Sequence, residues 1–512
     1  MLSSRTPRCI GTARTTLAAA LSLALAGSLA ACAVGPDYHR PSTAVPASYK
    51  ETPAGWKLAE PGDRADRGRW WAIYHDAQLD ALMDKLDAAN QTVAQFAAAY
   101  RQARALVSEA RASYFPTLGL SASATRSGQQ LSRSSTNNAL GSSNGSTSRV
   151  SNAFSLSLDA SWEPDLWGKV SRTVGAQEAS QQSAAADLAN ARLSTQATLA
   201  QTYFQLRSLD AQQKLLDDTV TAYEQALKLT QNRYAQGVAG RADVIQAQTQ
   251  WQSAQAAALD NGIARAQNEH AIAALVGEPA SSFSIAAAPL DAEPPVIPMQ
   301  LPSALLERRP DIATAERKAA SANEQIGVAI SAYFPTLTLS ASGGYQNSVF
   351  SQLLTLPSRF WTVGPQLAAT LFDAGLRHAQ TEAARAAYDQ QVAVYRQTVL
   401  AAFQDVEDNL ASQRILASEI VVQREAVDSA KQALVIVTNE YKAGTVDYLN
   451  VLTAQTTAFS AEQKLSTLAG QRMVSSVGLV KALGGGWDVA QIDRETGEAS
   501  APPTAGAKPA PQ

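Results

Sequence analysis

Tyr114-Phe115-Pro116-Thr117-Leu118 recurs as Tyr333-Phe334-Pro335-Thr336-Leu337, and Leu-Ser-Ala-Ser follows both copies, at 120–123 and 339–342. Proline disfavours helical backbone angles in the residue before it, which is a phenylalanine in each copy. The motif therefore predicts that a helix ends and a strand begins at two places in the chain.

A second pair of matching segments follows the first. Asn232-Arg233-Tyr234 with Gly237 recurs as Asn439-Glu440-Tyr441 with Gly444. Two matches in the same order indicate an internal duplication. We predict that each half is built as helix, strand, loop, strand, long helix, turn and long helix.

The distribution of proline predicts where the long helices lie. None of the 22 prolines falls within 165–278 or 366–501, and an interior proline costs a helix about 3 kcal/mol. Each stretch is broken near glycine, at Gly237 and Gly240 in the first and at Gly444 in the second. Each is therefore predicted to be a helical hairpin with its turn at those glycines. Apolar residues spaced by three, four and seven predict a coiled-coil seam in the first stretch: Leu199, Leu206, Leu209, Leu216, Val220, Tyr223, Leu227 and Tyr234.

Four segments alternate between apolar and small polar residues, the pattern of strands with one face of each kind. They run from Leu118 to Ala124, Phe154 to Trp162, Leu337 to Ala341 and Trp361 to Leu371. We predict strands of about 9–11 residues, the length that a tilted strand needs to cross a bilayer with its hydroxyls facing a wet lumen. A soluble β-sandwich with one face buried explains the alternation equally well.

The number of strands decides what a membrane barrel would require. Four strands leave open edges, and an unpaired backbone amide or carbonyl costs several kcal/mol in hydrocarbon. The smallest membrane barrels have about eight strands. If these strands form a barrel, several copies of the chain must share it, and the loops at 127–152 and 347–360 are external.

The N-terminus has the features of a secretory signal. Arg5, Arg8 and Arg14 precede an apolar run over 17–26, and small residues lead to Cys32. The run is too short to span a bilayer as a helix. The pattern predicts a signal peptide over residues before Cys32 and acylation of that cysteine. An ordinary signal with an incidental cysteine is the alternative.

These patterns divide the chain into segments. Around the two repeats we predict an extended segment and a linker rich in proline, with a disordered tail at the end. The predicted segments are a signal peptide at 1–31, a lipid-anchored extended segment at 32–69, a first repeat at 70–278, a Pro-rich linker at 279–301, a second repeat at 302–487 and a tail at 488–512.

The composition argues against several functions. The chain has 512 residues, a net charge of −3, four scattered histidines and two cysteines. It therefore offers no Cys/His cluster for a metal and no basic surface for nucleic acid. It also lacks a constellation of acid, base and nucleophile. We predict no enzymatic activity, no cofactor, no metal and no nucleic-acid partner.

Short motifs in a fixed order resemble those of a known family. They are Cys32 with Gly35-Pro36-Asp37-Tyr38 and Arg40-Pro41, then Trp70-Trp71, the two Phe-Pro strand starts, Arg308-Arg309-Pro310-Asp311-Ile312 and Lys481-Ala482-Leu483-Gly484-Gly485-Gly486-Trp487. Over about 32–487 the chain resembles the OprM/NodT-type outer-membrane efflux lipoproteins of the TolC superfamily.

The resemblance implies a mainly α-helical, TolC-like fold with transmembrane β-strands. Four strands per chain would contribute to a shared trimeric twelve-stranded outer-membrane barrel, continued by a periplasmic α-helical barrel of long coiled-coil hairpins. It implies a homotrimer anchored by lipid in the outer membrane, since alanine rather than aspartate follows Cys32. The implied partners are a periplasmic adaptor (membrane fusion) protein and an inner-membrane resistance-nodulation-division (RND) pump.

The function that the resemblance implies is a passive exit duct for drugs or other small toxic compounds. Two alternatives remain. One is the outer-membrane component of a type I protein-secretion system, which uses the same fold. The other is a periplasmic coiled-coil structural lipoprotein that conducts nothing, and the four alternating strands argue against it.

The resemblance also places candidate residues at a periplasmic aperture. Asp243 and Tyr441 match positions where related channels join inner and outer hairpins by a carboxylate–phenol hydrogen bond, worth about 1.5–3 kcal/mol when shielded. A helix-start carboxylate and a seam-packing tyrosine explain these residues equally well. Val446 stands where the family has an arginine, so one known restraint is missing.

The acidic rings that narrow the mouth of many relatives match Asn450 and Thr453, which are uncharged in this chain. Asp447 lies three residues before Asn450, on a similar helix face. Either Asp447 supplies a carboxylate ring, or the mouth lacks one and Asp447 is a solvent-facing residue near the turn.

Overall fold

The computed structural model describes residues 33–51, 67–131, 147–290, 293–297 and 305–487. Three predictions fall outside these ranges: the acylation of Cys32, the signal peptide before it and the C-terminal tail.

The chain divides into two compact units, each with its own described residues. One unit is drawn from Met1–Arg40, Ala103–Ser180 and Lys318–Gln391, and the other from Pro41–Gln102, Gln181–Arg317 and Val392–Gln512. We call them the sheet unit and the helical unit, after the elements described below.

The sheet unit contains one antiparallel sheet with the strand order β1-β2-β3-β4. The strands are β1 (Thr117–Leu131), β2 (Thr147–Trp162), β3 (Thr336–Asn347) and β4 (Arg359–Ala368). As predicted, β1 and β3 begin directly after the prolines of the repeated motif.

The first two strands are longer than predicted. They contain 15 and 16 residues, and their pairing continues to Leu131 opposite Thr147. The predicted loop at 127–152 is therefore wrong at both ends. The serine, asparagine and glutamine residues in these segments resemble a loop in composition. Backbone pairing between neighbouring strands nevertheless depends little on side-chain polarity, so the strands continue through them.

The register separates the sheet into two faces. Leu120 lies opposite Leu158 on one face, which we call the apolar face. Ser123 lies opposite Ser155 on the other, the polar face, where their hydroxyl oxygens are 2.7 Å apart. The predicted alternation is confirmed in all four strands, but β4 ends at Ala368, so the predicted continuation to Leu371 is wrong.

The apolar face is not covered. Leu120 is 72% exposed, Trp361 75% and Val363 73%. A sandwich would bury these side chains, so that interpretation is wrong for the described chain. A contiguous apolar surface of this kind marks contact with a membrane or a partner.

Helices make up most of the rest of the described chain. They are α1 (Ala77–Ala89), α2 (Gln91–Ala112), α3 (Lys169–Ala235), α4 (Arg241–Leu275), α5 (Leu305–Arg308), α6 (Pro310–Ser331), α7 (Leu376–Ala443) and α8 (Tyr448–Ala482). Short 3-10 helices occur at Arg67–Tyr74, Ala280–Ser282, Phe350–Gln352 and Leu356–Ser358. None of the described helices is both long enough and apolar enough to cross a membrane.

Both predicted hairpin turns are confirmed. The turn between α3 and α4 contains Gly237 with φ of 76°, and the turn between α7 and α8 contains Gly444 with φ of 81°. Glycine adopts such left-handed angles without the steric cost that other residues incur, which ends each long helix.

Most of the predicted seam is buried. Leu199 and Leu206 are fully buried, and Leu216, Tyr223 and Leu227 are each no more than 7% exposed. Tyr234 is 48% exposed, so its assignment to the seam is wrong. It lies in the last turn of α3, where the helix is about to end.

A buried arginine explains the Arg-Pro-Asp motif at the start of α6. Arg309 donates to the carboxylates of Asp311 at 2.7 Å and Asp405 at 3.1 Å, and to the carbonyl oxygen of Ala482 at 3.2 Å. These bonds offset the cost of removing the Arg309 charge from water, and they connect α6, α7 and α8 within the helical unit.

Candidate functional site

The turns of the two hairpins meet in one small hydrophobic cluster in the helical unit. Its buried members, which we call the tip cluster, are Leu227, Ala247, Tyr441, Tyr448 and Val451. Because α3, α4, α7 and α8 each contribute, the cluster joins one hairpin to the other.

Tyr441 is at the centre of the tip cluster and is 4% exposed. Its ring packs edge-on against Tyr448, with the ring centroids 5.6 Å apart. The Tyr441 ring also contacts the guanidinium of Arg233, which lies 4.5 Å from the ring centroid. Such cation–π contacts contribute about 0.5–2 kcal/mol, depending on how far they are shielded from water.

Arg233 also binds the end of the opposite hairpin's long helix. Its Nη1 atom donates to the carbonyl oxygens of Tyr441 at 2.9 Å and Lys442 at 3.2 Å. The Tyr441 carbonyl also accepts from the Gly444 N–H at 3.0 Å, and the last carbonyls of a helix carry the negative end of its dipole. The positive charge of Arg233 on α3 therefore interacts favourably with the C-terminal end of α7.

Asp243 is engaged at the start of its own helix. Its Oδ2 atom accepts a hydrogen bond from the backbone N–H of Gly240 at 3.1 Å, and a carboxylate in the first turn also interacts favourably with the helix dipole. Among the described residues, the buried hydroxyl of Tyr441 has no hydrogen-bond partner. The single chain therefore lacks the Asp243–Tyr441 bond, because the carboxylate caps α4 instead.

Asp243 nevertheless acts on the tip cluster through its charge. The pKa of Tyr448 is raised to about 12, mainly because burial disfavours the charged phenolate. Electrostatic interactions with Tyr441, Tyr223 and Asp243 raise that pKa further. The Tyr448 hydroxyl thus stays neutral over the physiological pH range.

Val446 and Arg233 both contact the tip cluster. Val446 is half-buried and packs against the tip cluster, so it adds apolar contact at the position where the resemblance implies an arginine. The cation beside Tyr441 is Arg233, a residue that the resemblance does not place at the aperture. The repeated motif contained a sign that this position differs between the two hairpins, because Arg233 in the first copy is matched by Glu440 in the second.

The three candidates at the start of α8, of which Asp447 is the N-cap residue, share an exposed stripe. Asp447, Asn450 and Thr453 are all exposed, whereas Tyr448 is buried. The carbonyl of Asp447 accepts from the Asn450 N–H at 3.1 Å, but its carboxylate makes no capping bond. The Thr453 hydroxyl donates to the Leu449 carbonyl at 2.9 Å. Of the three side chains, only Asp447 presents a charge.

The residues after Cys32 are bound tightly within the sheet unit. Arg172 donates to the carbonyl oxygens of Val34 and Gly35, both at 3.3 Å, and to the Glu324 carboxylate at 3.0 Å. Gly35 has φ of 109°, and a Cβ there would lie 2.6 Å from the Gly327 Cα. This contact explains the glycine of the Gly-Pro-Asp motif, since no side chain fits.

Comparison with known proteins assigns this architecture to a family. The outer membrane efflux protein family model matches residues 82–278 and 301–485. The chain therefore belongs to the outer membrane efflux protein family. The mainly helical, TolC-like fold expected from the sequence is thereby confirmed.

Individual relatives agree with this assignment. The chain is 32% identical over 449 residues to OpmQ, the pyoverdine export outer membrane protein of Pseudomonas aeruginosa, covering 86% of this chain and 92% of OpmQ. It is 31% identical over 472 residues to SrpC, a solvent efflux pump outer membrane protein of Pseudomonas putida, covering 90% and 97%. Among solved structures, the outer-membrane channel OprN superposes with a TM-score of 0.81 at 28% identity, covering 89% of this chain and all of OprN.

Proposed function

We propose that three copies of this chain form a passive exit duct across the outer membrane, with the apolar face of each sheet towards lipid and the polar face towards a water-filled lumen. The main support for this proposal is the apolar face of the sheet, which is exposed in the single chain and would contact lipid in the barrel. An isolated four-stranded sheet in a bilayer would also leave the outer edges of β1 and β4 unpaired, at several kcal/mol for each backbone group. Closure with identical neighbours removes both costs.

The duct would serve an efflux pump that exports small toxic molecules. Relatives over nearly the whole chain are the outer membrane components of solvent, toluene and antibiotic efflux pumps. We propose that this chain works with a periplasmic adaptor and an inner-membrane RND pump, which supplies the energy, and that it catalyses no reaction itself.

Deletion of the gene tests this proposal. We expect increased susceptibility to a broad panel of antibiotics and organic solvents, and no additional increase when the gene of its own pump is also deleted. Unchanged susceptibility together with loss of a secreted protein would instead indicate type I secretion. Complementation with the wild-type gene is the control.

We propose that Cys32 carries the lipid anchor. The binding of Val34 and Gly35 by Arg172 supports this, because it fixes the chain only two residues beyond the cysteine. Each buried methylene of an acyl chain contributes about 0.8 kcal/mol to membrane binding. Intact-mass measurement of the wild-type chain and Cys32→Ser should differ by the acyl groups, and an equal processed mass, apart from the substitution, would exclude lipidation.

We propose that the tip cluster holds the periplasmic end of the duct narrow. Arg233 joins the two hairpins of one chain through its contacts with Tyr441 and Lys442. A partner that displaced this arginine would free the end of α7. Asp243 contributes by starting α4 in a fixed position.

We propose that the Asp447 residues of the three copies form a ring of carboxylates at the same end. The Asp447 side chain is exposed and makes no capping hydrogen bond with α8. Asn450 and Thr453 extend the stripe without charge. Planar-bilayer recordings of Asp447→Asn test this, with Asn450→Ser as the control. A lower cation preference in Asp447→Asn alone supports the ring, and unchanged selectivity removes Asp447 from the mechanism.

A further inference from the structure

The polar face of the sheet carries one carboxylate, held by hydroxyl groups from three strands. The Oδ2 atom of Asp159 on β2 accepts from Ser121 on β1 at 2.9 Å and from Ser157 at 3.0 Å. Its Oδ1 atom accepts from Ser342 on β3 at 2.7 Å. The three bonds fix the carboxylate in one position.

The surroundings of Asp159 leave its charge open to the polar face. Its directly paired neighbour on β1 is Gly119, which has no side chain. A carboxylate has about four lone-pair positions, and the hydroxyls use three. Asp159 is only half-buried, so the charge is positioned rather than neutralised.

Where the structure describes the side chains of the polar face, Asp159 has no charged neighbour. The alternating positions that share it, from Thr117 to Ser127, Ser151 to Ser161, Thr336 to Gln346 and Phe360 to Ala368, carry serine, threonine, glycine, glutamine, alanine and one phenylalanine besides Asp159. The statement covers the positions whose side chains the structure describes. Over these positions the face is polar and its one charge is Asp159; the register places Arg149, whose side chain lies outside the described ones, at the outer end of the same face, ten residues away along β2.

We propose that Asp159 sets the charge selectivity of the strand-lined part of the duct. This inference rests on the trimeric duct proposed above. Three-fold symmetry would place three copies of the carboxylate at one height around the lumen. Narrow passages with low-dielectric walls concentrate the field of such charges. The ring would favour cations and neutral solutes over anions, independently of any ring at the hairpin turns.

The bonding pattern also indicates why serine surrounds the carboxylate. Three hydroxyl donors compensate its partial desolvation without adding a counter-charge, whereas a lysine or arginine would cancel its field. Had stability been the only role, a neutral serine or threonine at 159 would continue the ladder seen at Ser123–Ser155 and Ser127–Ser151.

Bilayer recordings with purified protein under a KCl gradient test the proposal. Asp159→Asn keeps acceptor capacity for the serine hydroxyls but removes the charge. We expect its cation-to-anion permeability ratio to fall by about twofold or more at 0.1 M salt, and by less at 1 M, where the Debye length shrinks to about 3 Å. Glu163→Gln, which removes a half-buried charge that is paired with Lys169 at 3.2 Å just beyond β2, is the matched control and should leave the ratio unchanged.

A chemical rescue separates the charge from any structural role. The sequence contains only Cys9 and Cys32. With Cys9 removed in the signal peptide and Cys32 acylated, as proposed above, Asp159→Cys should offer one thiol per chain in the lumen for a water-soluble thiosulfonate reagent. The thiolate displaces the sulfinate of the reagent and forms a mixed disulfide. An anionic reagent should restore cation preference, whereas a neutral reagent of similar size should not.

The outcomes distinguish the two proposals. Wild-type protein that forms no channel contradicts the duct itself. A wild-type channel whose selectivity is unchanged in Asp159→Asn, and in Asp159→Cys with either reagent, overturns the role of Asp159 and leaves the duct intact.

Discussion

The guanidinium of Arg233 lies 4.5 Å from the centre of the Tyr441 ring and donates to the Tyr441 carbonyl oxygen at 2.9 Å. One side chain from the first hairpin therefore contacts both the ring and the backbone at the end of the second. The two hairpins are joined at their turns through a cation rather than through the carboxylate–phenol bond expected from the resemblance.

Replacing this cation should open the duct. Arg233→Ala removes a cation–π contact and charge-assisted bonds worth about 1.5–3 kcal/mol together, so we expect the open state to gain about tenfold or more in population. Single-channel conductance measures this. Lys228→Ala, which removes an exposed lysine from the same helix, should leave the conductance as it is.

The hydroxyl of Tyr441 should matter little, and its ring should matter a great deal. Tyr441→Phe removes a group that has no hydrogen-bond partner among the described residues, so stability and conductance should change little. Tyr441→Ala leaves a cavity and should destabilise the fold by about 3–5 kcal/mol. Denaturant unfolding and bilayer recordings test both. Opening by Tyr441→Phe as large as by Arg233→Ala would show that the assembled protein does use the hydroxyl.

Adjacent positions on β4 should respond oppositely to the same charge. Val363 lies on the apolar face and Thr362 on the polar face, and both are exposed. Val363→Arg should impair membrane insertion, because arginine facing lipid near the bilayer midplane costs about 2–4 kcal/mol. Thr362→Arg should insert normally and lower cation conductance. Outer-membrane fractionation and bilayer recordings measure these effects, and equal insertion of both variants would contradict the assignment of the faces.

Alkaline pH should loosen the tip cluster through Tyr448. The folded-state pKa is raised to about 12 from an ordinary value of 10.0, so the folded chain holds the proton more tightly than the unfolded chain. The contribution of Tyr448 to stability is therefore complete below pH 10 and is lost as pH rises from 10 to about 12. Tyrosinate absorbance should lose a late-titrating component in Tyr448→Phe. A component that persists unchanged would show that Tyr448 ionises with the ordinary tyrosines.

Local chemistry made much of the fold predictable. The Phe-Pro motif marks the starts of β1 and β3, and Gly237 and Gly444 mark the two turns, because backbone angles at these residues depend on their own side chains or lack of one. The outer ends of β1 and β2 were missed, since pairing between strands extends through residues such as Gln129 that do not alternate clearly.

The site was less predictable because its decisive contacts connect distant segments. The sequence placed Tyr441 near the aperture, but its contact with Arg233 links residues 208 positions apart. Asp243 had two possible partners, and in the single chain its carboxylate accepts from the backbone of Gly240, the residue directly before its own helix, and not from Tyr441. Arg309 belongs to the Arg-Arg-Pro-Asp-Ile motif, but only the structure shows that it is buried and bound to the carboxylates of Asp311 and Asp405.

The number of chains in the detergent-solubilised protein tests the central claim most directly. Native mass spectrometry of the full-length protein, extracted from outer membranes, should give a particle of three chains that requires detergent to remain in solution. A particle of one chain that stays soluble and monodisperse without detergent would contradict the account, because a single sheet with an exposed apolar face and open edges cannot line a duct.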